Sequence, residues 1–132
     1  MFSGDIEILV VDDMSTMRKL VQKSLRDIGY SKVTEALEGD DAWKKLCSGE
    51  KKFDLIISDW NMPKMTGLDF LKNVRASDQF KNIPFIMLTA ESESPQVLEA
   101  IKAGVSSYIV KPFTAMQLRE KMKAVYEKQK AA

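Results

Sequence analysis

Five polar side chains stand just past the ends of four short apolar runs. Asp12 and Asp13 follow the first, Asp59 the second, Thr89 the third, and Lys111, with Pro112 behind it, the fourth. If those runs lie side by side in one sheet, three carboxylates meet in one cleft with a lysine approaching from the far side. Such a cluster repels itself, and it must either raise a pKa or take up a cation. Oxygen ligands with room for waters select Mg²⁺, with Mn²⁺ as a substitute. A metal beside a lysine and a threonine hydroxyl suits a phosphoryl group, whose three equatorial oxygens need a metal, a cation and hydrogen-bond donors. Asp59 is then the candidate nucleophile, because an ionised carboxylate attacks phosphorus without a general base.

Composition narrows the chemistry to this. The chain of 132 residues contains no histidine, which removes Ser-His-Asp and Cys-His nucleophiles, histidine-ligated metals and histidine phosphocarriers. A single cysteine, Cys47, permits neither an internal disulfide nor a thiolate cluster. Twenty basic against nineteen acidic residues give a net charge of +1, which makes no electrostatic case for nucleic acid or an anionic membrane. The opening Met-Phe-Ser-Gly-Asp-Ile-Glu lacks the basic and apolar segments of a leader, and no apolar stretch approaches a membrane span. The expectation is a cytoplasmic monomer, one domain over residues 1–132 with no output domain.

The elements that must position these residues follow from periodicity. Residues 6–11, 53–58, 84–88 and 106–110 read as strands, and 32–36 as a weaker fifth. Met17, Leu20, Val21, Ser24, Leu25 and Ile28 recur at helical spacing, and Gly29 stands where the helix should close. Residues 40–48 form a second helix. Thr66 to Asp69 has capping-box spacing for a third, along Leu68, Leu71 and Val74. Ser94 and Pro95 supply the cap and first turn of a fourth helix carrying Val97, Leu98 and Ile101, closed by Gly104. Thr114 to Gln117 opens a fifth through Leu118, Met122 and Val125. Alternating strands and helices with right-handed crossovers predict an α/β, flavodoxin-like (βα)5 doubly wound fold, a five-stranded parallel sheet of order 2-1-3-4-5. Ligands bind beyond the carboxyl ends of such strands, where the five polar residues fall.

Leu9-Val-Val-Asp-Asp13, Ser58-Asp-Trp-Asn-Met-Pro63 with Gly67, Leu88-Thr-Ala-Glu91 and Tyr108-Ile-Val-Lys-Pro-Phe113 together resemble the receiver domain of bacterial two-component response regulators. Asp59-Trp-Asn-Met-Pro63, Ser15-Thr-Met-Arg18 and the lack of an output domain more narrowly resemble chemotaxis response regulators of the CheY type. The resemblance implies that a histidine kinase or a small acyl phosphate phosphorylates Asp59, and that Asp12, Asp13 and the main-chain carbonyl of Asn61 help to hold Mg²⁺. It further implies that Lys111 bonds the phosphoryl group, that Thr89 turns its hydroxyl towards it, and that Tyr108 then rotates inward. That motion would reshape the face of the fourth helix, fifth strand and fifth helix, which in this group binds a flagellar motor switch protein and overlaps the kinase docking surface. Lys111-Pro112 is expected to be cis. Asn61 and Glu91 would tune autodephosphorylation, with small Ala90 leaving the approach open and a dedicated phosphatase a further expected partner. Met14 departs from relatives that carry a bulkier or more polar residue beside the acidic pair.

Plainer readings compete residue by residue. Asp12 and Asp13 would favour the amino end of a helix, Thr89 would end a strand, Lys111 would be solvated, and Tyr108 would be a half-buried strand aromatic. Trp43 and Trp60 read as packing residues, and the methionines at 14, 17, 62, 65, 87, 116 and 122 as core filler. Residues 111–132 carry a net +4 against −3 for the remainder, a solvated helix face or a surface on which Arg119, Lys121 and Lys123 dock an acidic partner. An FMN carrier would need a glycine- and hydroxyl-rich loop where two aspartates stand. A haloacid-dehalogenase-like phosphatase would need an acid where Asn61 stands. A phosphorelay intermediate or phosphate sink would share all the chemistry and lack the motor target.

Overall fold

The structure, a computed structural model, describes residues 1–90 and 95–131. Five strands alternate with five helices: β1 Ile8–Val11, α1 Ser15–Asp27, β2 Val33–Ala36, α2 Gly39–Cys47, β3 Leu55–Asp59, α3 Gly67–Ala76, β4 Phe85–Thr89, α4 Pro95–Lys102, β5 Ser107–Val110 and α5 Ala115–Ala131. All pairings are parallel, in the order β2-β1-β3-β4-β5.

Strands β1, β3 and β4 are buried along their whole length, as parallel strands covered on both faces must be. Their residues alternate between two cores. Leu9, Val11, Ile56, Phe85 and Met87 face the layer containing residues of α2, α3 and α4, while Ile8, Val10, Leu55, Ile57, Ile86 and Leu88 face residues of α1 and α5. Each such apolar side chain contributes about 1.5–3 kcal/mol by leaving water, so this alternation fixes the register.

Helix ends are set locally. Gly29 has φ +103°, its N–H donates to Arg26 O at 3.1 Å, and Tyr30 N–H reaches back to Leu25 O at 2.8 Å. This paired closure needs the left-handed backbone that glycine adopts freely. Gly104, at φ +94°, closes α4 in the same way through bonds to Ile101 O and Ala100 O. Thr114 and Gln117 cap α5 reciprocally, each N–H bonded to the other's side chain at 2.9 and 3.1 Å. Thr66 Oγ1 accepts from Asp69 N–H to start α3. The expected cap Ser94 lies outside the described residues.

Five expectations of burial are corrected. Leu20, Leu98 and Ile101 are exposed, as are Met14 and Met116. In α4, Val97 and the small Ala100 carry the burial, and Leu98 and Ile101 lie at the margin of that narrow contact. Met17 and Met65 are half-buried, and Met62, Met87 and Met122 are core residues.

Candidate functional site

The first strand delivers Asp12. Its N–H donates to Ala36 O at 3.1 Å, which continues the pairing with β2, and its Oδ1 accepts from Met14 N–H at 2.9 Å. That side-chain turn aims the other oxygen, Oδ2, into the interior. Asp12 is fully buried, and Oδ2 has no hydrogen-bond donor among the described residues. Asp59, the last residue of β3, is buried beside it, and Asp13 is exposed at the rim. One oxygen from each of Asp12, Asp13 and Asp59 lies within 4.8 Å of the others. Burial, first, pushes the Asp12 carboxyl up to about 6; the Met14 N–H and the charge of Lys111 work against this, while those of Asp59 and Asp13 add to it.

Lys111 enters from the end of β5. Its Nζ donates to Asp59 Oδ1 at 2.5 Å and stands 3.8 Å from Asp12 Oδ2, an attraction without a hydrogen bond. The Lys111-Pro112 bond is cis. Lys111 N–H donates to Thr89 O at 2.8 Å, so the threonine at the end of β4 is tied to the lysine through the main chain. Thr89 itself is buried.

The loop after Asp59 is held tightly. Trp60 N–H donates to Leu88 O, Gly67 N–H donates to Trp60 O at 2.8 Å, and Trp60 and Met62 anchor the loop in the core. A Cβ on Gly67 would stand 2.2 Å from Asp59 O and 3.0 Å from Trp60 Cα, a clash with backbone that no rotamer relieves. Only glycine lets α3 start this close to Asp59. Asn61 is exposed on the same loop. Ala90 is exposed and Glu91 lies outside the described residues.

Asp12, Asp13, Asp59 and Lys111 therefore meet in one place, with Thr89 beside them and Asn61 on the adjoining loop. Tyr108 is separate: it is half-buried against the α2–α4 core, pairs with Met87 in the sheet, and has Lys121 Nζ 5.1 Å from its ring centroid. Tyr108, Gln117 and Lys121 line a shallow depression of about 180 Å³. Trp43 packs edge-on against Phe80, and Trp60 is buried. Among the described residues no helix is long and apolar enough to cross a membrane.

Arg18 has contacts that sequence reasoning did not assign. From the first turns of α1 its Nη1 donates to Asp12 O at 2.8 Å and its Nε to Glu35 Oε1 at 3.0 Å. The only signal was its place in the motif Ser15-Thr-Met-Arg18, one turn beyond the acidic pair.

The response regulator receiver domain family matches this chain over residues 8–123. Chemotaxis protein CheY-3 of Vibrio cholerae is 48% identical over 124 residues, covering 94% of each chain. The solved structure of the chemotaxis response regulator CheY4 of Vibrio cholerae aligns with a TM-score of 0.81 at 38% identity, covering 91% of this chain and 98% of that one. A receiver domain of a Pseudomonas aeruginosa sensor histidine kinase, solved with a magnesium ion coordinated in its active site cleft, aligns with a TM-score of 0.77 at 26% identity over 91% of this chain and 97% of that one.

Proposed function

The chain belongs to the response regulator receiver domain family, and from that premise we propose that it is a phosphorylation-activated regulator of the chemotaxis type with Asp59 as phosphoacceptor. A carboxylate oxygen of Asp59 attacks phosphorus, and the bond from phosphorus to a kinase histidine nitrogen, or to the oxygen of an acyl phosphate, breaks. The observation that carries this reading is the single cleft in which Lys111 Nζ contacts Asp59 while the oxygens of Asp12, Asp13 and Asp59 crowd together.

The donor set suits Mg²⁺. Asp12 Oδ2 is a buried carboxylate oxygen without a hydrogen-bond donor among the described residues, an arrangement that a hard cation relieves. Asp12, Asp13, Asp59 and the Asn61 carbonyl would hold the ion, which when bound neutralises the clustered charge and stabilises phosphoryl oxygens. Lys111 is placed to follow the negative charge from the carboxylate to the phosphoryl group. Thr89 supplies a hydroxyl, and Tyr108 moves into the space that it leaves. Asn61 and Glu91 handle the water that later removes the phosphoryl group.

The output face runs over α4, β5 and α5. Leu98, Ile101 and Met116 are exposed there, beside Tyr108 and a basic helix, which supports a protein target such as a flagellar motor switch as well as a kinase.

Intact mass after incubation with a small acyl phosphate tests the reading. A single phosphoryl adduct that requires Mg²⁺ and is missing in Asp59→Asn is the expected result. An adduct that persists in the variant would place the acceptor elsewhere, and no adduct with Mg²⁺ demonstrably bound would leave a binding module without the switch.

A further inference from the structure

Asp12 and Asp13 share one peptide group, and that group is clamped. The Asp12 carbonyl and the Asp13 N–H lie in a single rigid plane with both Cα atoms, so turning the plane swings both carboxylates at once. The preceding peptide is fixed by Asp12 N–H on Ala36 O at 3.1 Å, and the shared one by Arg18 Nη1 on Asp12 O at 2.8 Å. The other edge of the guanidinium is fixed too: Nε donates to Glu35 Oε1 at 3.0 Å, and the Arg18 side chain is 11% exposed. Glu35 belongs to β2, in register with Val10, and its own carbonyl accepts from Lys45, which also pairs with Asp41 at 3.2 Å. A planar fork with fixed donors is the group for holding two acceptors at a set separation.

We propose that Arg18 is a positioning residue for the divalent cation: held by Glu35, it fixes the Asp12–Asp13 peptide plane so that both carboxylates point into the cleft. The inference rests on the reading of that cleft as a Mg²⁺ site, which the geometry around Asp12 Oδ2 supports. Pairing with Glu35 offsets the charge of Arg18 and leaves its directional hydrogen bonds as its contribution.

Isothermal titration of Mg²⁺ into wild-type protein, Arg18→Ala, Arg18→Lys, Glu35→Ala and the Ala/Ala double variant tests this, alongside urea melts without metal. By charge alone, removing a cation near the site would tighten Mg²⁺ binding; by positioning, Arg18→Ala weakens it about tenfold. Glu35→Ala weakens it less, and the double variant binds no worse than Arg18→Ala alone, because both act through one contact chain. Equal or tighter binding by a folded Arg18→Ala overturns the proposal, as does a loss of stability with unchanged affinity. If Arg18→Ala does not fold, Arg18→Lys decides: one ammonium cannot serve both acceptors in the fork's geometry, so wild-type affinity there overturns the clamp. Failure of the wild-type protein to bind Mg²⁺ is a different result, which overturns the cation site and this proposal with it.

Discussion

Buried charge is treated in opposite ways at the two ends of the sheet. At the amino ends of β4 and β5, Arg75 donates Nε to Gly104 O at 2.8 Å, Nη1 to Lys81 O and Ile83 O at 3.0 and 2.6 Å, and Nη2 to Ser106 Oγ at 3.3 Å. Burial pulls its pKa below the usual guanidinium value, but its donors face carbonyls of two loops, and the charge works as a staple. At the carboxyl ends of β1 and β3, Asp12 is more deeply enclosed, and its nearest charged neighbours include two further carboxylates. Beside β4 and β5 the charge is matched within the chain, although Glu7 Oε2, just before β1, is buried without a partner among the described residues, as Asp12 Oδ2 is. The carboxyl end is left short of positive charge, which makes it receptive to a ligand and costly to maintain without one.

Changes at the staple sharpen this contrast most. Arg75→Ala strips donors from the carbonyls of residues 81, 83 and 104, and should lower stability by about 3 kcal/mol in urea melts while leaving Mg²⁺ affinity unchanged. An equal loss of Mg²⁺ affinity would show that the two ends are not independent.

Asp12→Asn should act in the opposite direction. Without metal it should raise stability by about 1–2 kcal/mol at pH 7, and stabilisation by Mg²⁺ should disappear. The sign follows from the carboxyl's folded pKa of about 6 against 3.8 for an ordinary aspartate. The folded protein holds this proton more tightly, so metal-free stability from this group rises as pH falls from about 7 towards 4. Urea midpoints at pH 7 and 5 in chelator, for wild type and variant, check it; a wild-type midpoint that fails to gain on the variant's would refute the assignment.

The smallest effect belongs to Lys64, which sits at φ +66° in the loop after β3 and is exposed. Lys64→Asn should raise the melting midpoint by an amount equivalent to about 0.5 kcal/mol, since asparagine tolerates the left-handed region better. A drop would mean that the distant pairing with Glu38, 3.8 Å away, outweighs backbone strain.

The strands and their order were legible because runs such as Ile8–Val11 and Phe85–Thr89 are continuous and apolar, which suits only a sheet covered on both sides. Gly29, Gly104 and the Thr114–Gln117 box were legible because caps are local chemistry. The acidic cluster was legible from its position beyond strand ends. The margins of helices were not: Leu20, Leu98 and Ile101 keep helical spacing, yet a helix buries only the stripe its neighbours reach. Arg18 and Arg75 were hidden for another reason. Their acceptors lie up to 17 and 31 residues away in sequence, and a long side chain announces nothing about where it will land.

The two tryptophans turn this architecture into an optical instrument. Trp60 follows the proposed phosphoacceptor directly, with its peptide bonded to β4 on one side and to the start of α3 on the other, whereas Trp43 rests edge-on against Phe80 with ring centroids 5.7 Å apart. The first indole belongs to the residue next to Asp59, and the second rests against a neutral ring. A change in the charge of the cleft is therefore expected to alter the emission of Trp60 more than that of Trp43, with no label attached.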